Sequence, residues 1–537
     1  MGVIANPAET LRQLNESKEM LRKAREDHQL SQEAKKIPRK HTFSKLPGFH
    51  GRRVEQALLR KILSNQPKMT VIYGATSVGK TALLREVLAT DDFYVVKFDL
   101  RISGFANLRS LYITLCEQFE SFFEEMHDEE MDKSKLMFKH LLLQLIEKEK
   151  PEAGGYEVTV ADIACLMESF QSGLLKYWEY NPKFDAGKQG KTDEEADSQV
   201  KKDSKLRQVD ATHEQKYELN AEGKHTENGD DPVHTKVVFK QKPVVILFDE
   251  AHKLGALVND ELSMKVLLDS LLVLTKQDRL CHVLFATSDS FFQHFLRSMN
   301  VGHHSQILTI GDPNKIDTHN YFREQVMAQV PAKLRTQLYF DQVWDAFGGK
   351  LSHINDYVSA WINDDGDVTP FTSPIFIQAY TLLQFHLTHS TFETYSPLSI
   401  ATAGANDNKD QARFTPQHLM EVMRKLVQPP YSLPYFQLCR DIGTDEVDSM
   451  IKTRILELRW TKTVVPEEDG IERQWSADGI ERPIVLPMTR IIRKAMEVII
   501  AEEDESARRQ PLIQEKDKSK NSTKKHERKK YKDDNDD

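Results

Sequence analysis

The segment Gly74-Ala75-Thr76-Ser77-Val78-Gly79-Lys80-Thr81 concentrates more chemistry than any other stretch of the chain. Its two glycines let a short loop wrap tightly, so that successive backbone N–H groups point inward and can hold an anion. Lys80 follows as a point charge for the β and γ phosphates of a nucleotide, and Thr81 brings a hydroxyl suited to magnesium. The context agrees. The apolar run Thr70-Val71-Ile72-Tyr73 enters the loop as a strand, and Ala82-Leu83-Leu84 leaves it on a helix whose positive end faces the loop. Gly74 through Ala82 are therefore the candidate nucleotide-binding residues, Mg-ATP is the expected ligand, and Lys80 is a candidate catalytic charge.

A second set lies downstream. The apolar run Val244-Val245-Ile246-Leu247-Phe248 ends in Asp249-Glu250. Asp249, at a strand's C-terminal end, is placed to hold the metal with Thr81, and Glu250 to orient and deprotonate an attacking water. A third strand, His282 to Ala286, ends in Thr287-Ser288. Either hydroxyl can meet the γ-phosphate or the water, so both are catalytic candidates. The plain alternative is a helix cap, a role open to Ser288 and Asp289 as well. His252 reads more simply as a structural histidine than as a site residue. The pair His303-His304 lacks partners in metal spacing and reads as loop.

These residues need a scaffold, and the chain supplies one. Strands are expected at 69–73, 94–99, 244–248, 282–286 and 306–310, with helices between them. Strands alternating with helices predict a parallel five-stranded sheet covered on both faces. The helix Arg53 to Leu63 precedes the first strand; the others fall near 108–126, 133–149, 159–177, 260–275 and 290–299. Past residue 312 the pattern turns helical: 314–329, 340–347, 354–361 and 375–387. After Thr415, which caps a helix from Pro416, two short helices, an apolar stretch at 461–465, a charged loop and Ile484-Val485-Leu486 precede a last helix, Met488 to Ala501. That order predicts a small winged-helix-like module. The expected organisation is an N-terminal helix and linker (1–45), a nucleotide-binding domain (46–312), a helical lid (313–400), the winged-helix-like domain (414–503) and a charged, disordered tail (504–537). The composition of 181–242 predicts a disordered insertion within the first domain, and 403–413 a flexible loop.

Bulk properties narrow the function. The chain has 537 residues, 39% hydrophobic and 29% charged, enough for real cores. A net charge of -9 offers no global field for nucleic acid. Cys116, Cys165, Cys281 and Cys439 show no metal spacing and read as buried, reduced thiols. Neither a signal core nor a membrane-length apolar run is present, so an intracellular, soluble protein of cytoplasm or nucleus is expected.

With these residues in place, the chain resembles the AAA+/STAND-like P-loop ATPases, and among them the archaeal-type ATPase family. Origin-recognition ATPases and a mitochondrial RNA-linked ATPase are more distant relatives, and a fungal protein family is similar in layout. The resemblance rests on Gly48-Phe49-His50-Gly51-Arg52 with Glu55, on 74–81, on Phe98-Asp99-Leu100-Arg101, on 244–250, on 286–288 and on Phe347-Gly348-Gly349. It implies a three-layer sandwich with strand order 5-1-4-3-2. It makes Phe49, Gly51 and Arg52 candidates for the base site, and Gly348-Gly349 the start of the lid. It also implies a nucleotide-driven conformational switch with Mg-ATP turnover, a protein partner, and assembly into oligomers as an open option. Where relatives carry an arginine at the end of the sensor strand, Thr287-Ser288-Asp289 stand here. Neither Arg297 nor Arg323 has the context of an arginine finger, which points to slow or partner-stimulated turnover. Two alternatives stand beside the switch. One is a nucleic-acid-binding ATPase, disfavoured by the acidic candidate wing at 466–471. The other is a non-hydrolysing scaffold with bound ATP, disfavoured by Glu250.

Overall fold

The structure, a computed structural model, describes residues 43–101, 107–126, 129–148, 157–179, 241–388, 414–466 and 480–508. The expected N-terminal helix, nearly all of the insertion, the loop at 403–413, the candidate wing and most of the tail lie outside these residues.

Five strands, β1 (Met69–Tyr73), β2 (Tyr94–Asp99), β3 (Val244–Asp249), β4 (His282–Thr287) and β5 (Ser305–Thr309), form one parallel sheet in the order β2-β3-β4-β1-β5. This is the expected order 5-1-4-3-2 read from the other edge. Side chains alternate between the two faces, and both faces are covered. Val244, Ile246 and Phe248 of β3 point into one core, and Val245 and Leu247 into the other.

The first core lies under three long helices, Leu108–Glu124, Glu129–Lys148 and Val160–Glu179. It is built on phenylalanine. Phe119 stacks on Phe170 with centroids 3.9 Å apart, and Phe98 stacks on Phe248 at 4.9 Å. The third helix approaches closely because Gly173 has no side chain: a Cβ there would strike the Phe123 ring. Its end is tied to the start of β3. The Tyr177 hydroxyl accepts from the Lys242 N–H (2.8 Å), and Gln241 Nε2 donates to the Trp178 carbonyl (2.9 Å). The chain therefore leaves after Glu179 and returns before β3 at nearly the same point, which is how the sheet accommodates the long intervening stretch.

The second core runs without a break from the sheet through the helices Phe340–Phe347, Leu351–Asn363 and Pro374–Thr388 to the C-terminal unit. That unit opens with the helix Pro416–Leu426, whose Thr415 hydroxyl accepts the expected cap bond from the His418 N–H. Next come β6 (Leu433–Pro434), the helices Tyr435–Ile442 and Thr444–Lys452, β7 (Leu456–Arg459) and β8 (Ile484–Pro487). The three strands form an antiparallel sheet in the order β6-β8-β7, and a helix over 490–508 closes the unit.

Two expectations shift, and the apolar stretch 461–465, just after β7, gains a place. It covers the open edge of the large sheet: Thr463 bridges Thr309 in parallel, and the Val464 N–H donates to the Thr309 carbonyl (2.9 Å). The last helix continues to 508, past the expected boundary at 503, and is held by Tyr380 to Glu502 (2.8 Å) and Arg424 to Asp504 (2.6 Å). Of the cysteines, Cys116 and Cys281 are buried, but Cys165 is exposed on its helix and Cys439 half-buried.

Candidate functional site

The C-terminal ends of β1, β3 and β4 meet at one edge of the sheet, and the sequence candidates gather there. Gly74 follows β1 where only glycine fits, because a Cβ would collide with the Ile310 carbonyl. Ser77 (φ 60°) and Gly79 (φ 90°) turn the loop through left-handed backbone, and the helix Lys80–Leu88 starts directly after. Lys80 is buried. Its Nζ turns back to donate to the carbonyls of Gly74 and Ala75, both at 2.8 Å. Burial lowers its pKa from 10.5 to about 8, and neighbouring Lys350 pushes the same way.

Asp249 closes β3 opposite the loop. The Thr81 hydroxyl donates to its carboxylate, 3.0 Å from Oδ2, across 168 residues of sequence. Asp249 Oδ1 accepts from the Glu250 N–H (3.1 Å). The Arg101 guanidinium, in a forked ion pair with Asp99, also reaches Asp249 Oδ2 at 3.3 Å. Parallel register explains that approach: Asp99 of β2 is the direct neighbour of Asp249 of β3. The Asp99 partner holds the Arg101 pKa above its ordinary value.

Glu250 sits in left-handed backbone (φ 57°), an uncommon conformation for a residue with a Cβ, which turns its side chain off the strand axis. Its Oε2 lies 3.6 Å from His252 Nδ1, and the same nitrogen lies 3.4 Å from Thr287 Oγ1. Burial pushes the His252 pKa down to about 4, so near neutral pH the imidazole is uncharged. Thr287 also acts as a cap by accepting the Asp289 N–H (3.1 Å), and Asp289 accepts the Phe291 N–H (2.7 Å). Burial raises the Asp289 pKa. The Ser288 carbonyl accepts from Arg454 (2.9 Å), which comes from the turn before β7.

Residues 164–357 match the family model of an ATPase domain predominantly from Archaea. This span of the chain is similar to that archaeal ATPase domain. The match takes in β3, β4, β5 and the helix Phe340–Phe347; the Gly74–Thr81 loop lies upstream of it. Among solved structures, a Walker-type ATPase of Pyrococcus abyssi is 11% identical, covering 84% of this chain and 98% of that one, with a TM-score of 0.40. The ORC2 protein of Aeropyrum pernix in its ADP form is 9% identical, covering 86% and 98%, with a TM-score of 0.32. The ORC1 protein of the same organism, solved in complex with DNA, is 12% identical, covering 86% and 94%, with a TM-score of 0.30. No curated protein matches the chain.

Gly74 to Ala82, Asp249, Glu250, Thr287 and Ser288 all come to this one edge. Phe49, Gly51 and Arg52 lie against it. Phe49 packs on the second core, and Gly51 takes a left-handed turn beside Asp317. Arg52 is buried and fully engaged: it donates to the carbonyls of Val78 (2.5 Å) and Gly311 (2.9 Å) and pairs with Glu55 (2.9 Å). Its guanidinium braces the loop against the end of β5. Arg101, noted from sequence only within the stretch 98–101, and His252, which reads from sequence as structural, both reach this edge, as do Arg454 and Lys350, which no motif marks. Arg101 becomes visible only once β2 is known to neighbour β3. His252 is placed by the 3-10 turn Ala251–Asp260. Arg454 carries no sequence signal. Lys350 follows the glycine pair that was read as the lid start. It is 1% exposed, and its Nζ donates to the Thr76 carbonyl.

Proposed function

We propose that this protein binds Mg-ATP at Gly74–Thr81 and hydrolyses it slowly, using the cycle as a conformational switch. The observation that carries the reading is the 3.0 Å contact between Thr81 Oγ1 and Asp249 Oδ2, on two separate elements beside a buried lysine. The donor set fits magnesium. Among the described residues there is no cluster of three or more His, Cys, Asp or Glu for a metal. One hydroxyl and one carboxylate match a magnesium ion that takes its remaining oxygens from phosphates and water. When bound, that ion would neutralise charge on the phosphates.

The chain's own residues supply the rest. Backbone N–H groups of the loop and the Lys80 ammonium hold the phosphate chain. The Glu250 carboxylate orients a water and accepts its proton as the water oxygen bonds to the γ-phosphorus and the bond to the β-phosphate oxygen breaks. Neutral His252, next to both Glu250 and Thr287, steadies the carboxylate without adding charge. Arg101 reaches Asp249 Oδ2 at 3.3 Å and supplies a positive charge to the site from within the same chain.

The switch reading has its own support. The segment after β4 is wired to the C-terminal winged-helix-like unit by Arg454 to the Ser288 carbonyl and by Trp460 Nε1 to the Ser290 carbonyl (2.8 Å). A change at Thr287 has a short path to that unit.

Nucleotide binding and turnover in Lys80→Ala and Glu250→Gln proteins test the proposal. Lys80→Ala should lose binding by at least about 100-fold. Glu250→Gln should bind normally, lower kcat by about 100-fold or more, and accumulate bound ATP. Equal turnover in wild type and Glu250→Gln would favour the ATP-bound scaffold instead. Nucleic-acid affinity that falls steeply with salt would favour a nucleic-acid-binding ATPase.

A further inference from the structure

Two buried ammonium groups crowd the Gly74–Thr81 loop, though the phosphate-loop motif explains only one. Lys80 caps the carbonyls of Gly74 and Ala75, and Lys350 caps the next carbonyl along, that of Thr76. They are 7% and 1% exposed. Neither forms an ion pair with a carboxylate among the described residues. Removing an ammonium from water costs several kcal/mol, which carbonyl hydrogen bonds only partly offset, and two like charges beside each other add repulsion. Such an arrangement is best satisfied by a polyanion that takes both cations.

Lys350 is also fixed from behind. It is the N-cap of the lid helix Leu351–Asn363. The preceding Gly349 packs so tightly that a Cβ would collide with the Pro313 carbonyl. Its charge therefore belongs to the lid but is delivered to the loop.

We infer that Lys350 is a second phosphate-binding lysine, carried by the lid, that makes the site prefer a nucleoside triphosphate over the diphosphate. This rests on the nucleotide reading above. Because Lys80 reaches the β and γ phosphates, a cation on the adjacent carbonyl lies at that same end of the chain. Loss of the terminal phosphate leaves two ammonium groups with less anion to share, which weakens the lid's hold on the loop. Release of product and loosening of the lid are then one event.

The test uses the full chain with Glu250→Gln, so that ATP survives titration. Mg-ATP and Mg-ADP are titrated calorimetrically into this parent and into versions also carrying Lys350→Gln or Lys350→Arg. Glutamine keeps a donor for the Thr76 carbonyl and removes the charge, so a purely structural role would survive it. The parent should bind ATP at least about 10-fold more tightly than ADP. Lys350→Gln should weaken ATP about 10-fold and ADP less than about 3-fold, and Lys350→Arg should keep the preference. Equal affinities in the parent overturn the proposal with no variant required. A preference unchanged in Lys350→Gln, or equal losses for both nucleotides, overturns the role of Lys350 alone. A parent that binds neither nucleotide overturns the underlying reading as well.

Discussion

Lys80 shows how much a single charge depends on what surrounds it. Folded and without ligand, it titrates near 8, because burial disfavours the ammonium and Lys350 repels it. The unfolded chain keeps its proton up to about 10.5, so between these values the unfolded state binds more protons and apo stability rises with pH. Nucleotide binding at this loop, as proposed, should reverse the local field. Phosphate oxygens favour the ammonium, so the complex holds a proton that the free protein has lost. Affinity should be flat below about pH 8 and fall by up to about 10-fold per unit above it. Calorimetry at pH 9 in two buffers of different ionisation enthalpy should report uptake of close to one proton. Uptake of none would mean that Lys80 stays charged in the free protein. Glu250 and His252 make a quieter pair: burial lowers the His252 pKa to about 4, so the imidazole 3.6 Å from the carboxylate is neutral near pH 7.

Among the elements, the helices over β2 and β3 and the first lid turn do different work. The former are a rigid aromatic block. Phe119 contacts Phe98, Phe138 and Phe170, and truncation to alanine should cost about 3–5 kcal/mol. Chemical denaturation should show this as a shifted midpoint, with nucleotide affinity nearly unchanged. The lid turn is different because its backbone is pressed against Pro313. Gly349→Ala should cost at least about 2 kcal/mol in stability and weaken nucleotide binding at the same time, since Lys350 moves with the turn. A melt and a titration on one variant suffice, and unchanged affinity would separate the lid from the loop. The helical pattern of 314–329 also resolves more finely than periodicity suggested: an α-helical turn passes into a π-helical stretch over Phe322–Val326, which no side-chain pattern announces.

For the whole molecule, the second core matters most, because it makes the sheet, the helices over 340–388 and the C-terminal unit one packed body. Polar contacts then connect that body to the chemistry: Arg454 to Ser288, Trp460 to Ser290, and the Thr309 hydroxyl to the Thr461 hydroxyl (2.7 Å). Arg454→Ala should leave nucleotide affinity within about 3-fold while cutting the nucleotide-dependent change in amide exchange over residues 435–464. If that change persisted in full, the C-terminal unit would not be reading the end of β4. Close by, a cleft between lid and C-terminal unit gathers Arg459, Arg490 and Arg493. Arg490 lies 5.3 Å over Trp344, a cation–π contact between the two, while Arg493 lies 3.9 Å over Tyr431 within the C-terminal unit.

The sequence alone carried most of what is local. Glycine spacing, an apolar run ending in Asp-Glu and alternating strand and helix periods are set by neighbours along the chain. They sufficed to place the five strands and the tight turn between β1 and the helix that follows it. Side chains that meet across many residues were not legible. Asp99 lies beside Asp249 because β2 pairs with β3, and only that pairing brings Arg101 to the site. Lys350 reaches Thr76 from 274 residues away, and Arg454 reaches Ser288 from 166. Such contacts are decided by how the sheet orders its strands and where the lid and C-terminal unit dock. Those depend on burying one shared apolar face, a property of the assembled surfaces and not of any segment read by itself.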